Sequence, residues 1–166
     1  MEAWKRPIWR VPLVLAALGL LCRILTLILG IAWGRIQIAQ GPGPDGAYTL
    51  TTGYLSEIMA VVSFLLFWLA GWRFVRGLTR REVFRSASVM VLVHAALLAA
   101  EQVSQRMLGA YSMLVYRLWA VTEGTAWVDR IFLRLFRAAG SSSILWVVPG
   151  ILAPYFYLVF GKKERA

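Results

Sequence analysis

At 166 residues the chain has room for one compact domain. Its hydrophobic share of 60% and mean hydropathy of +0.67 exceed the roughly 45–50% apolar content of an ordinary soluble domain. A net charge of +10 would suit nucleic acid, but no binding module or aromatic stacking platform accompanies it, so no nucleic-acid partner is expected.

Four apolar runs, 13–33, 55–72, 86–104 and 144–160, reach or approach the about 20 residues a spanning helix needs. Polar residues sit between the runs rather than alternating within them, which argues against the polar outer layer of a soluble helical protein. The expected fold is an all-α integral membrane bundle, a single membrane domain over 1–166. It has four transmembrane helices and one or two interfacial amphipathic helices between the third and fourth.

The start of the chain has the basic and apolar parts of a signal peptide. Arg23 interrupts the apolar stretch, no small-x-small cleavage site follows, and Leu21 rather than a small residue precedes Cys22. The segment is therefore expected to stay as the first span. Cys22 is the one cysteine, which excludes an intramolecular disulfide and a thiolate metal cluster.

Arg23 stands at the centre of the first span, about 15 Å from either end. An arginine at mid-bilayer costs at least about 2.5–3.5 kcal/mol, so it should face protein or water. Ala16, Gly19, Arg23, Thr26, Gly30 and Gly34 recur at three or four residues and form one stripe of small and polar side chains. Small residues let helices approach closely, so Arg23 is expected to point into a tight helix contact.

Gln40 to Gly46 carries Gly and Pro at a density that forbids regular structure and makes a turn-rich connector. In the second span, Ser56, Ala60 and Ser63 make a small-residue face beside Glu57. A short basic loop with Arg73, Arg76, Arg80, Arg81 and Arg85 should join spans two and three as an antiparallel hairpin. Along the third span His94, Leu98, Glu101 and Gln105 recur at four, three and four residues, on one helix face. Ser104 and Gln102 flank that face.

Arg23 has three candidate partners. Glu57 and Glu101 each lie roughly 10 Å from their span centres toward the outer face, within snorkelling reach, and His94 is level with Arg23. Arg23, Glu57, His94, Glu101 and Gln105 thus form a candidate intramembrane polar cluster, opening outward past the two glutamates. A register-fixing ion pair is the plainer reading, and a substrate or proton path the alternative.

The third loop is not ordinary loop material. Tyr111 to Val121 is aromatic-rich and a candidate interfacial segment. Over about 126–139, Trp127, Ile131, Phe132, Leu135 and Phe136 recur at helical spacing while Arg130, Arg134 and Arg137 take another face. Thr125 can cap this helix and Gly140 can end it. It is too short to span, and Trp127, Arg130, Arg134 and Arg137 are the candidate interfacial lipid contacts.

Pro149 and Pro154 in the last span deprive the carbonyls of Leu145 and Gly150 of helix partners, predicting a kink. Aromatic residues and Lys162, Lys163 close it. Eleven of the eighteen cations, from Lys5, Arg6 and Arg10 through the second loop to Arg165, fall on one side. The positive-inside rule then places both termini in the cytoplasm of a cell-membrane protein, although the third loop carries five arginines.

No cofactor or metal motif is present: a His-Glu-x-x-His pair is missing, and the two aspartates, Asp45 and Asp129, lie in loops. Ser142 and Ser143 have no base in the same helix. The leading expectation is a non-enzymatic accessory or assembly subunit acting with other membrane subunits or copies of itself, in contact with anionic lipid headgroups. A small transporter or channel subunit using the polar seam is second. A membrane-embedded enzyme on a lipid-type substrate, working through His94, is third.

Overall fold

The computed structural model describes residues 6–43, 46, 51, 53–108, 118–140 and 147–163. Lys5, Asp45, residues 111–117, Ser142, Ser143, Leu145 and Arg165 lie outside them. Every regular element among the described residues is helical. Helix α1 covers Pro7–Ala39, and α2 covers Gly53–Ala70 and runs into a π-helical turn at Gly71–Val75. Helix α3 covers Arg80–Leu108, a 3₁₀ segment Trp119–Thr125 leads into α4 at Ala126–Ala138, and α5 at Val148–Leu152 continues as 3₁₀ helix through Ala153–Phe160.

Three helices, Pro7–Ala39, Tyr54–Val75 and Arg80–Met107, are long and apolar enough to cross a membrane, with mean hydropathies of 2.5, 1.9 and 1.8 over their most apolar stretches. A third or less of each such stretch is buried inside the molecule. Outward apolar side chains such as Ile31 at 62% and Leu92 at 69% exposure would be a large liability in water and suit a hydrocarbon surround. The protein is accordingly an all-helical, membrane-embedded molecule.

The fourth run differs from its expected form. Its described helix, Val148–Phe160, rises about 24 Å as α followed by 3₁₀, short of the about 30 Å hydrocarbon core. Pro149 stands in the first turn of α5, and the Leu145 carbonyl on which its expected kink depends lies outside the described residues. Pro154 marks the change from α to 3₁₀ winding.

One end of the bundle, called basal here, gathers the start of α1, the α2–α3 turn and the end of the chain. Pro12 lies inside α1 and leaves the Ile8 carbonyl without its helical donor. Ser86 of α3 fills the gap: its hydroxyl donates to Ile8 at 2.8 Å and accepts the Val11 N–H at 3.0 Å. Thr79 and Glu82 form a reciprocal capping box at the start of α3. Lys162 N–H bonds the Leu78 carbonyl and Arg80 N–H bonds the Lys162 carbonyl, which clamps the chain end onto the turn.

α2 and α3 do not pair closely as a hairpin, because α1 and the 153–160 segment lie between them. Phe67 and Tyr157, both fully buried, stack at 4.3 Å in the core. Gly71 permits this: a Cβ there would overlap the Tyr157 and Phe160 rings.

The segment 119–125 enters the bundle beside the middle of α1. Gly19 accommodates it, since a Cβ at 19 would strike the backbone of Ala120 and Val121. From there α4 runs antiparallel along α2. Trp127 packs edge-on against Phe64 and Phe67, while Arg134 reaches Glu57 at the far end of α2. Gly140, with φ of 69°, ends α4, but Thr125 makes no side-chain cap; its hydroxyl donates to the Thr122 carbonyl.

Candidate functional site

The small-residue stripe of α1 does meet a close contact, but with the 119–125 segment rather than with another spanning helix. That contact sets Arg23. Its Nη1 lies 2.8 Å from Glu123 Oε1, in a pair whose side chains are 32% and 24% exposed. Burial pushes the Glu123 carboxyl above its ordinary range, against the opposing pull of the Arg23 hydrogen bond and charge.

Beside this pair lies a cavity of about 290 Å³ between α1, α2 and the start of α4. Cys22, Met59, Ala60 and Leu55 give it apolar walls, and Thr26, Ser56, Ser63, Glu123 and Arg130 supply polar groups. Thr26 and Ser63 turn their hydroxyls back to the carbonyls of Cys22 and Ala60. On the α4 side, Arg130 Nη1 donates to Ser56 Oγ and lies 3.6 Å from Glu57, which also pairs with Arg134. Arg130 and Ala60 also line a neighbouring groove of about 240 Å³ between α2 and α4.

The structure separates the five residues of the sequence-derived cluster into three places. Arg23 and Glu57 lie outside the lining of the cavity but pair with Glu123 and Arg130, which line it. His94 is buried on another face of the bundle, against the backbone of Gly150 and Ile151, and its Nε2 has no hydrogen-bond partner in the structure. Glu101 and Gln105 lie one turn apart on α3, 3.5 Å from each other. Arg23 pairs with Glu123, which distance along the chain hid, a hundred residues away.

The α4 residues also depart from the interfacial arrangement. Trp127 is buried among Phe64, Phe67 and Phe156 rather than turned to lipid, because α4 lies lengthwise on α2. Arg130 and Arg134 turn to Glu57, and Arg137 is exposed.

Asp129 belongs to α4 and is wedged against Gly150. A Cβ on Gly150 would overlap its carboxylate. Burial pushes the Asp129 carboxyl up to about 7, and its Oδ1 has no hydrogen-bond partner in the structure. The sequence signal was present in Pro149-Gly150: a glycine just inside a helix start admits a neighbouring side chain onto the backbone.

Among the described residues, no group of three His, Cys, Asp or Glu side chains converges to hold a metal. No protein-family model matches the chain, and no curated protein or solved structure is significantly similar to it.

Proposed function

We propose that this is a multi-pass membrane protein that works by binding, holding a small amphipathic solute in the cavity between α1, α2 and α4. One observation carries the reading: an apolar-walled space of about 290 Å³ inside the bundle is flanked by Arg23–Glu123 and by Arg130 with Ser56 and Glu57. Two charged side chains, Glu123 and Arg130, line this otherwise apolar space, and intramembrane ionisable groups mark ligand paths. The three ion pairs set Arg23, Arg130 and Arg134 against Glu57 and Glu123, an excess of one cation that suits an anionic or strongly accepting head group.

In this reading the fourth apolar run is the fourth span, to which the described helix Val148–Phe160 belongs, and the basal end faces the cytoplasm. Arg6, Arg10, Arg73, Arg76, Arg80, Arg81, Arg85, Lys162 and Lys163 all belong to that end, which supports the orientation by the positive-inside rule. Transport by a homo-oligomer or larger complex is the natural extension of binding.

Native mass spectrometry of the detergent-purified protein tests the reading. A co-purifying amphiphile should be present, and Ser63→Phe, which fills the cavity from α2, should release it without lowering the melting temperature much. Identical spectra for both proteins would remove the basis for a binding cavity.

The accessory-subunit reading keeps one specific support. On the half of α1 away from the basal end, among the described residues Gly34 has nothing within 4 Å of a Cβ position and Gly30 meets Leu55 at 3.7 Å. Small residues facing outward are suited to a partner helix. Gly30→Leu with Gly34→Leu should leave a monomer intact and disrupt any complex recovered by mild solubilisation; a complex that survives both changes speaks against it.

A further inference from the structure

Two irregularities at the basal end act on one place. The π-helical turn Gly71–Val75 ends α2 with Trp72, Arg73 and Arg76 beside each other, and π turns of this kind are frequent at functional sites. The bridge between Thr79 and Lys162 then holds the chain end against the same turn. The result is a pocket of about 420 Å³ lined by Trp72, Arg73, Arg76, Gly77 and Lys162. Arg10 of α1 reaches its edge, with Nη1 3.7 Å from a Cβ position on Gly77, and its Nε is buried with no hydrogen-bond partner among the described residues.

Four cations from three parts of the chain therefore converge. Among the described residues none of them is in an ion pair, and the nearby Glu82 carboxylate is spent on the N–H and hydroxyl of Thr79. Arg76 lies over the Trp72 ring at 5.6 Å, which steadies its guanidinium at the rim. Such a cradle is complementary to a phosphate carrying net negative charge.

A second feature says what bears that phosphate. Arg73 also closes the basal end of an apolar groove of about 490 Å³ between α1 and α2, walled by Val14, Leu18, Leu21, Leu66 and Leu69. The groove opens toward the region that the apolar helices share with lipid, and it joins the cradle at Arg73. We propose that the cradle and groove together form a specific site for a net-anionic phospholipid, its phosphate among Arg10, Arg73, Arg76 and Lys162 and an acyl chain between α1 and α2. Basic pockets between spanning helices recognise lipid headgroups in this way. The site rests on membrane embedding alone, not on the solute cavity.

The test is native mass spectrometry of the full chain in detergent, with added phosphatidylglycerol, phosphatidylcholine or inorganic phosphate. Phosphatidylglycerol should be retained roughly tenfold better than phosphatidylcholine, and Arg73→Ala with Arg76→Ala should abolish the preference, each charge-assisted contact being worth about tenfold or more. The single exposed changes Arg76→Gln and Lys162→Gln serve if the double variant fails to fold. Ala17→Trp, which fills the groove, should lower phosphatidylglycerol retention as well, whereas Arg35→Ala at the other end should not.

Equal retention of the two lipids overturns the site, as does an equal loss with Arg35→Ala. Displacement of the lipid by millimolar inorganic phosphate also overturns it, by showing a cradle for a free anion. Any of these results in a protein that stays in carbonate-washed membranes leaves the cavity reading standing, so the two fail separately.

Discussion

Arg23 of α1 and Glu123 of the 119–125 segment form an ion pair at 2.8 Å inside the bundle. The pair fixes where the chain re-enters after α3, because Gly19 and Gly124 draw the same segment against Leu18 and the α1 backbone. Replacing Arg23 by Ala leaves a carboxylate that burial already disfavours. Both side chains keep some exposure, so the loss should be roughly 1–3 kcal/mol rather than that of a fully buried pair. Thermal unfolding in detergent checks this, and the swap Arg23→Glu with Glu123→Arg should recover part of what either change alone loses.

Ser86→Ala should destabilise by a similar route at the other end of α1. It leaves the Ile8 carbonyl and the Val11 N–H without the side-chain partner they use around Pro12. Each orphaned buried group costs about 1–3 kcal/mol. Pro12→Ala gives Ile8 a backbone donor again, so the double variant should lose less than the sum of the single ones. Additive melting shifts would show that the serine does not repair the proline.

Gly19→Ala and Gly34→Ala are the same chemical change on one helix with opposite expectations. At 19 the methyl strikes the Ala120 and Val121 backbone, which cannot rotate away, while at 34 nothing among the described residues stands within 4 Å. Gly19→Ala should lower the melting temperature by several degrees. Gly34→Ala should leave it unchanged or slightly raised, as alanine is the better helix former by about 1 kcal/mol.

Asp129 predicts a pH dependence. Its carboxyl is raised from an ordinary 3.8 to about 7 by burial, so the folded protein favours the protonated form. That contribution is fully present below about 3.8 and is lost as pH rises toward 7. The upward shift of Glu123 acts in the same sense. Melting temperature should fall between acidic and neutral pH, and Asp129→Asn should flatten much of the fall. An unchanged slope in the variant would assign the dependence elsewhere.

The long helices were legible because apolar runs report the hydrocarbon surround directly. Gly19 and Arg23 also announced a close contact, since three- and four-residue spacing shows a helix face without the rest of the fold. What that face meets was not legible. Glu123 lies in a stretch with no long apolar run, and the spacing rules that found Glu57 and Glu101 search only within spans. Helix α4 showed its two faces in sequence, but periodicity is the same for a helix lying on lipid and one lying along α2. Only the depth of Trp127 among Phe64 and Phe67 separates them. Pro12 carried a warning that the partner Ser86, far along the chain, made harmless.

A cavity that holds a small amphipathic solute must be reachable from water. The most direct measurement is labelling by a small charged methanethiosulfonate in native membranes, using Ala60→Cys in a Cys22→Ser background. Ala60 lines the cavity, while Leu92 and Leu65 face outward from the bundle at 69% and 59% exposure. The account predicts that the cysteine at 60 labels readily while cysteines at 65 and 92 do not, and that adding Ser63→Phe protects position 60. A cysteine at 60 that stays as unreactive as those at 65 and 92 would contradict it.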